Sequence, residues 1–397
     1  MFLWIKNVLC ACSSKNSIDM VEDINIDELG ADPSGRTMKL HKHPFGEFSM
    51  ASVQANEKME DFGQVEIGNN AIFVGIYDGQ NGIFASQYLK ENLFPALLCH
   101  MDQNDNNMSE DILRETVAAM ERRFMLDAGK LHDREPQRAV ASSSCLFCII
   151  WNGKLYVANV GGSRAVMGSS GLFDTLRVQQ LVRDHNAGNK HVQDELARLH
   201  PDDPDIVMYH NEAWSVAGVS EVSRCIGNAY LKRARFTLVP SFEVSRTELA
   251  SSDFTRPLLS AEPEIYSRVL RDNDKFIIFG SGGLWKFLTN EEAAKIVNTN
   301  PRKGIAKRLI RIAQEIAARR KNITYSELSA VPRGGRCGYH DDIVVTVVFL
   351  DKKPDVITSV PRINSSQSFF EAALRSNFHY VYAGGNSALC PGLEYYA

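Results

Sequence analysis

The sequence predicts an α+β fold: two antiparallel β-sheets packed as a sandwich, flanked by helices on both sides. Three observations point there. Apolar runs of strand length gather in the first and last thirds of the core, ending in Phe-Ile-Ile-Phe-Gly (276–280) and Ile-Val-Val-Thr-Val-Val-Phe (343–349). Two such runs, 142–151 and 154–160, are joined by Asn152-Gly153, the strongest short-range hairpin signal. Helical patterns come in pairs between the strands and do not alternate one-to-one with them, which argues against a doubly wound parallel sheet.

The elements follow in order. Residues 13–45 are polar and show no period. From Phe48, "FSMASVQA" alternates as a strand should, and "AIFVGIYDG" is a buried strand stopped by Asp78-Gly79. "GIFASQYLKENLFPALLCHM" is apolar at helical spacing. Over 108–130, Ile112, Leu113, Val117, Met120, Phe124 and Met125 share one stripe of a second helix. After the hairpin, "RAVMGSSG" and "LRVQQLV" continue a meander. A helix is expected over "KHVQDELARLH", with short strands near 206–217, a buried strand at "DKFIIFGSGG", helices at 290–298 and 301–320, and a last buried strand at "DDIVVTVVFLD".

Composition narrows the classes. The chain has 397 residues, 44% hydrophobic and 23% charged, enough to bury a large core and too apolar for wholesale disorder. A formal net charge of −4 and a pI near 6.2 make nucleic acid an unexpected partner. No apolar run approaches the ~20 residues that span a bilayer. The eight cysteines are scattered, so no disulfide scaffold is expected and the compartment reads as cytoplasm or nucleus. Cys145 and Cys148 form a C-x-x-C on a strand, where an offset of three puts the thiols on opposite faces. The chain divides into an N-terminal leader (1–45), a core domain (46–351) and a C-terminal tail (352–397). The apolar leader is short for a signal peptide; acylation of Cys10 or Cys12 would give it peripheral membrane contact.

Other motifs dissolve on inspection. "AARRKN" closes a helix, where cations suit the macrodipole. The sequons at Asn107, Asn322 and Asn364 are chance matches in such a compartment. "GSGG" lacks the Lys-Ser/Thr of a nucleotide-binding loop.

Four segments carry chemistry: Glu60-Asp61 after a strand, "YDGQNG" and "GSGGLWK" ending buried strands, and Asp341-Asp342 opening the last one, a pair that reads as a solvated cap when taken alone. Carboxylates at strand ends can converge, and hard cations such as Mg²⁺ or Mn²⁺ want clustered oxygens. In order and spacing these segments, with "SVQANEKMED", "FVGIYDGQNG", "VGGSRAVMG", "VSRCIGNAYLK", "SGGLWKFLTNEEAAKIV" and "GYHDDIVVTVVFLD", resemble the metal-dependent type 2C protein serine/threonine phosphatases. With "RPLLSAEPEI" they look like a plant subfamily, and the likeness covers about residues 45–351.

The resemblance implies an α-β-β-α sandwich with two Mg²⁺ or Mn²⁺ ions activating a water that attacks a phosphoserine or phosphothreonine. Carried over residue by residue, the retained metal positions are Glu60, Asp61, Asp78, the Gly79 carbonyl and Asp341. Gln80 stands at the histidine that protonates the leaving group in the family, and an amide cannot donate that proton. Asn81 replaces a glycine. Gly162, Asn228 and Gly282 replace aspartates, Lys286 replaces an acid, and Asn56 stands where many members carry a phosphate-binding arginine. The substitutions at 162, 228, 282 and 286 shift the charge by +5 relative to the family pattern, around a site that must hold cations. At most one tightly bound ion is therefore expected, and no intact catalytic group. The sequence reads as an impaired phosphatase homologue, a pseudophosphatase binding phosphoproteins or phosphatase regulators. The alternative is a weakly active Mg²⁺/Mn²⁺-dependent serine/threonine phosphatase.

Overall fold

The computed structural model describes residues 34–132, 134–210, 213–233, 236, 256–351 and 363–364. β1 (Gly35–Thr37) and β2 (His41–His43) pair with β3 (Gly46–Val53), so the first sheet takes in residues that the sequence places in the leader. Both are three residues long and mostly polar, with no alternation to mark them. β4 (Phe62–Gly68), β5 (Ala71–Tyr77) and the two-residue β6 (Gly79–Gln80) follow.

α1 (Phe84–Gln103) and α2 (Glu110–Leu131) come next. Ser109 caps α2 by accepting from the Ile112 N–H, with Glu110 and Asp111 in the first turn, where carboxylates suit the helix dipole. The whole α2 stripe from Ile112 to Met125 is buried, as its spacing predicts. α3 (Gln137–Val140) leads to β7 (Ser142–Ser143), β8 (Cys145–Trp151), β9 (Lys154–Val160), β10 (Arg164–Ser170) and β11 (Leu176–Gln180). Asn152 and Gly153 both take positive φ between β8 and β9, as a type I′ hairpin turn requires.

The remaining elements are α4 (Lys190–Leu199), the hairpin β12 (Val207–His210) and β13 (Ala213–Val216), β14 (Ile226–Gly227) and α5 (Ala229–Lys232). Then come β15 (Glu264–Val269), β16 (Asp274–Gly280), α6 (Gly282–Trp285), α7 (Asn290–Thr299), α8 (Ile305–Arg320), α9 (Tyr325–Ala330), β17 (Ile343–Phe349) and β18 (Ile363–Asn364).

Among the described residues the strands form two large sheets. One runs β1-β3-β17-β16-β10-β11 with β2 also on β3; the other runs β15-β9-β8-β5-β4-β18. Alternation along β5 shows how they stack. Ile72, Val74 and Ile76 face Phe48, Met50, Ile277 and Val344 of the first sheet, while Ala71, Phe73 and Tyr77 face α1 and α2. The outer face of the first sheet packs on α6, α7 and α8 through Val345, Ile278, Leu309 and Ala313. Helix, sheet, sheet and helix are thus stacked with apolar contact at each boundary, the predicted sandwich. Cys145 joins the helix-side cluster and Cys148 the inter-sheet cluster, both as free thiols. A smaller cluster joins α4, α5, β12 and β13 through Val192, Leu196, Val216 and Leu231. Among the described residues no helix is long and apolar enough to cross a membrane. The expectations for Cys10, Cys12 and the rest of the leader before residue 34, and for the tail apart from β18, lie outside the described residues.

Candidate functional site

The strands deliver their ends to one edge of the sandwich. The loop after β3 brings Asn56, Glu60 and Asp61. β5 runs directly into Asp78, and β16 into Ser281 and then Gly282, the first residue of α6. β17 is preceded by Asp341 and Asp342, and its first residues, Ile343 and Val344, pair with Val53 and Ser52 of β3. Between these ends lies a cleft of about 410 Å³. Asp78, Gln80, Asn81, Gly162, Asn228, Gly282, Lys286 and Asp341 all line it. Glu60, Asp61 and Gly79 are not among its lining residues; Asp61 and Gly79 are buried and Glu60 is half-buried. A Cβ on residue 79 would collide with the Glu60 carbonyl, so only glycine lets these two loops touch.

Asp342 is no solvated cap. It is 1% exposed, and its Oδ1 accepts from the N–H groups of Ala55 (2.7 Å) and Asn56 (3.1 Å), its Oδ2 from that of Glu60 (2.6 Å). This carboxylate fixes the loop that carries Glu60 and Asp61. Asp341 faces the cleft. Its Oδ1 accepts from Asn56 Nδ2 (3.3 Å) and from the Asp342 N–H (2.8 Å), and its Oδ2 lies 3.8 Å from Lys286 Nζ. Asn56 is thus turned onto a carboxylate.

Burial and mutual repulsion disturb this acid cluster. Burial first, then the Asp341 charge, push Asp78 up to about 7, against the Gly282 N–H and Lys286. Burial, Asp78 and the Asp341-Asp342 pair hold Asp61 well above the usual carboxylate range, and its Oδ2 has no partner. Burial raises Glu60, against a hydrogen bond from the Gly82 backbone. Burial lowers Lys286, but Glu221, Asp341 and Asp78 outweigh it and hold the ammonium above its ordinary range.

Asn81 (φ 59°) and Asn228 (φ 56°) occupy the left-handed region, which asparagine tolerates better than other side chains. Gly162 donates its N–H to Ser144 Oγ (3.0 Å), and a Cβ there would meet only Val222, at 3.4 Å. Arg164 Nη2 donates to Asp184 Oδ2 (3.2 Å), and its guanidinium lies over the Trp285 ring. Although burial opposes it, Arg164, Gln180 and Asn189 keep the Asp184 carboxyl below the usual range. Gln80 Oε1 sits 3.5 Å from Ser142 Oγ.

A profile of protein phosphatase 2C matches residues 47–323, well over half of the sequence. The chain belongs to the protein phosphatase 2C family. Its plant relatives include "Probable protein phosphatase 2C 68" of Arabidopsis thaliana, 46% identical over 79% of this chain and 80% of that protein. "Probable protein phosphatase 2C 43" of Oryza sativa subsp. japonica is 44% identical over 85% of this chain and 87% of that one. The crystal structure of serine-threonine phosphatase 2C from Toxoplasma gondii superposes with a TM-score of 0.57 at 16% identity, covering 80% of this chain and 99% of that one; it shares the fold. The matched profile stops short of Asp341 and β17. The structure nevertheless places Asp341 on the same cleft as Asp78.

As a protein phosphatase 2C, the chain is measured against a two-metal centre, and its donor set does not fit one. At residue 282 the cleft receives an N–H, a donor that cannot ligate a cation. Both Asp341 oxygens face protein donors or an ammonium. Among the described residues no group of three or more His, Cys, Asp or Glu is arranged to hold a metal ion. Among the buried side-chain atoms described, Asp61 Oδ2 has no hydrogen-bond partner. Sequence reasoning missed Glu221, whose Oε2 lies 3.1 Å from Lys286 Nζ. It sits in "GVSEVSR", which carries no motif to single it out.

Proposed function

We propose that this chain is a catalytically impaired protein phosphatase 2C homologue. It acts by binding phosphoproteins or the regulators of active phosphatases. The observation that carries this reading is Lys286, whose ammonium stands in the cleft between Asp341 and Glu221, where the family's pattern calls for a cation held by carboxylates. Gln80 in the wall supplies no proton for a leaving group. At most one divalent ion binds tightly, at Glu60, Asp78 and the Gly79 carbonyl, where Mg²⁺ or Mn²⁺ would organise the loop after β3.

The work takes place in the cytoplasm or nucleus, with membrane contact only through an acylated leader. Nucleic acid is not a partner, in keeping with the net charge of −4. The test is retention of labelled phosphopeptides by the full chain in EDTA and in Mn²⁺. The reading expects some peptides to be held and recovered with their phosphate. Release of phosphate from the bound peptides in Mn²⁺ would favour the weakly active enzyme instead. No preference for any phosphorylated over unphosphorylated peptide would leave regulators of active relatives as the partners, to be sought by direct binding.

A further inference from the structure

The cleft has two walls. One is the end of β16 with α6, carrying Gly282 and, just beyond, Lys286; the other is the segment between β13 and β14, carrying Glu221. The second wall is fixed by its main chain, since the Glu221 carbonyl accepts from the Ala187 N–H at 2.8 Å. Lys286 Nζ lies 3.1 Å from Glu221 Oε2 and 3.8 Å from Asp341 Oδ2. Nearby, Asp78 Oδ2 accepts the Gly282 N–H at 2.7 Å. Three cleft carboxylates thus each meet a donor supplied by the chain itself.

The geometry points to Lys286 as a tethered cation: its ammonium stands in for a divalent ion between Asp341 and Glu221, tying the two walls so that the cleft is organised without metal there. A lysine suits the role because its charge is compact and its stem flexible. A divalent ion at this point would meet a like charge and would have to displace the side chain. The inference concerns cation occupancy, and it stands whether or not the protein hydrolyses phosphate.

Thermal melts of the full chain in EDTA and in millimolar Mn²⁺ test it, with Lys286→Met, Lys286→Arg and Glu221→Gln beside the wild type. These groups are half-exposed, so the shifts are modest. Lys286→Met is expected to melt about 2–3 °C below wild type in EDTA and to regain most of that loss in Mn²⁺, because Asp341 and Glu221 then recruit the metal. Wild type and Lys286→Arg respond to Mn²⁺ alike and less. Glu221→Gln loses stability without gaining a Mn²⁺ response. If the methionine variant does not fold, Lys286→Gln replaces it with the same expectations. A neutral variant that melts with the wild type, or whose Mn²⁺ response equals the wild type's, overturns the assignment.

Discussion

Gly282 donates its backbone N–H to Asp78 Oδ2 at 2.7 Å, and a Cβ at residue 282 would stand 2.9 Å from that same oxygen. The glycine lets the main chain close on a buried carboxylate. Gly282→Asp alone should therefore lower stability in EDTA by about 1–3 kcal/mol, since the new side chain crowds Asp78 and brings a second negative charge. Denaturant melts with EDTA and with Mn²⁺ measure this. A variant as stable as the wild type in EDTA would contradict the reading.

Phosphatase activity should return only with a combined reversion, Gly282→Asp, Lys286→Asp and Gln80→His. Each single change leaves another obstacle: Lys286 opposing a cation, or no acid for the leaving group. Groups that act as a unit are non-additive, and the acid contributes ~10²–10⁴-fold only once the rest is in place. A phosphopeptide assay on the three single variants and the triple variant decides. Full activity in any single variant, or a folded and inert triple variant, would move the impairment elsewhere, with Gly162 and Asn228 next.

The two neighbouring aspartates before β17 should behave differently. Asp342→Ala strips the acceptor from three backbone N–H groups and should cost about 3 kcal/mol or more. Asp341 is half-exposed and accepts from one backbone N–H, that of Asp342, so Asp341→Ala should cost about 1 kcal/mol, well below Asp342→Ala. Equal losses in urea melts would refute the assignment of Asp342 as the loop's anchor.

His43 should make the fold acid-sensitive. Burial, opposed by the Glu47 and Phe349 backbone, lowers it from 6.5 to about 4. Between those values the unfolded chain takes up a proton that the folded chain refuses. Stability from this group is therefore complete above about pH 6.5 and is lost as pH falls to about 4, by about 3 kcal/mol. The difference in unfolding free energy between wild type and His43→Gln should change over that window and be flat above it. A difference independent of pH would show that His43 titrates normally.

Most of the sandwich was legible because its strands are long and apolar on both faces. β4 was not: Gln64 and Glu66 are buried on it, with Gln64 donating to Glu66 and accepting from the Tyr77 hydroxyl, which inverts the usual pattern. β15 escaped because its residues are half-buried and weakly alternating. α9 was overlooked despite a capping box, Thr324 with Glu327, that its sequence spells out. At the site, motif order led to Asp78, Gly282, Lys286 and Asp341 and to their convergence. It could not lead to Glu221, whose place depends on how the segment before β14 returns to the cleft. Nor, although the resemblance picked out Asp341, could it assign Asp342 its anchoring role, since that burial is set by the loop after β3.

The central claim, an intact scaffold around a disabled site, meets its most direct test in a rate. Purified full-length protein is incubated with a phosphothreonine peptide in Mn²⁺ and in EDTA, and phosphate release is followed. The account predicts no difference between the two conditions. Phosphoryl-transfer enzymes such as kinases typically turn over at ~1–100 s⁻¹, and a Mn²⁺-dependent rate within ~10²-fold of that range would contradict it.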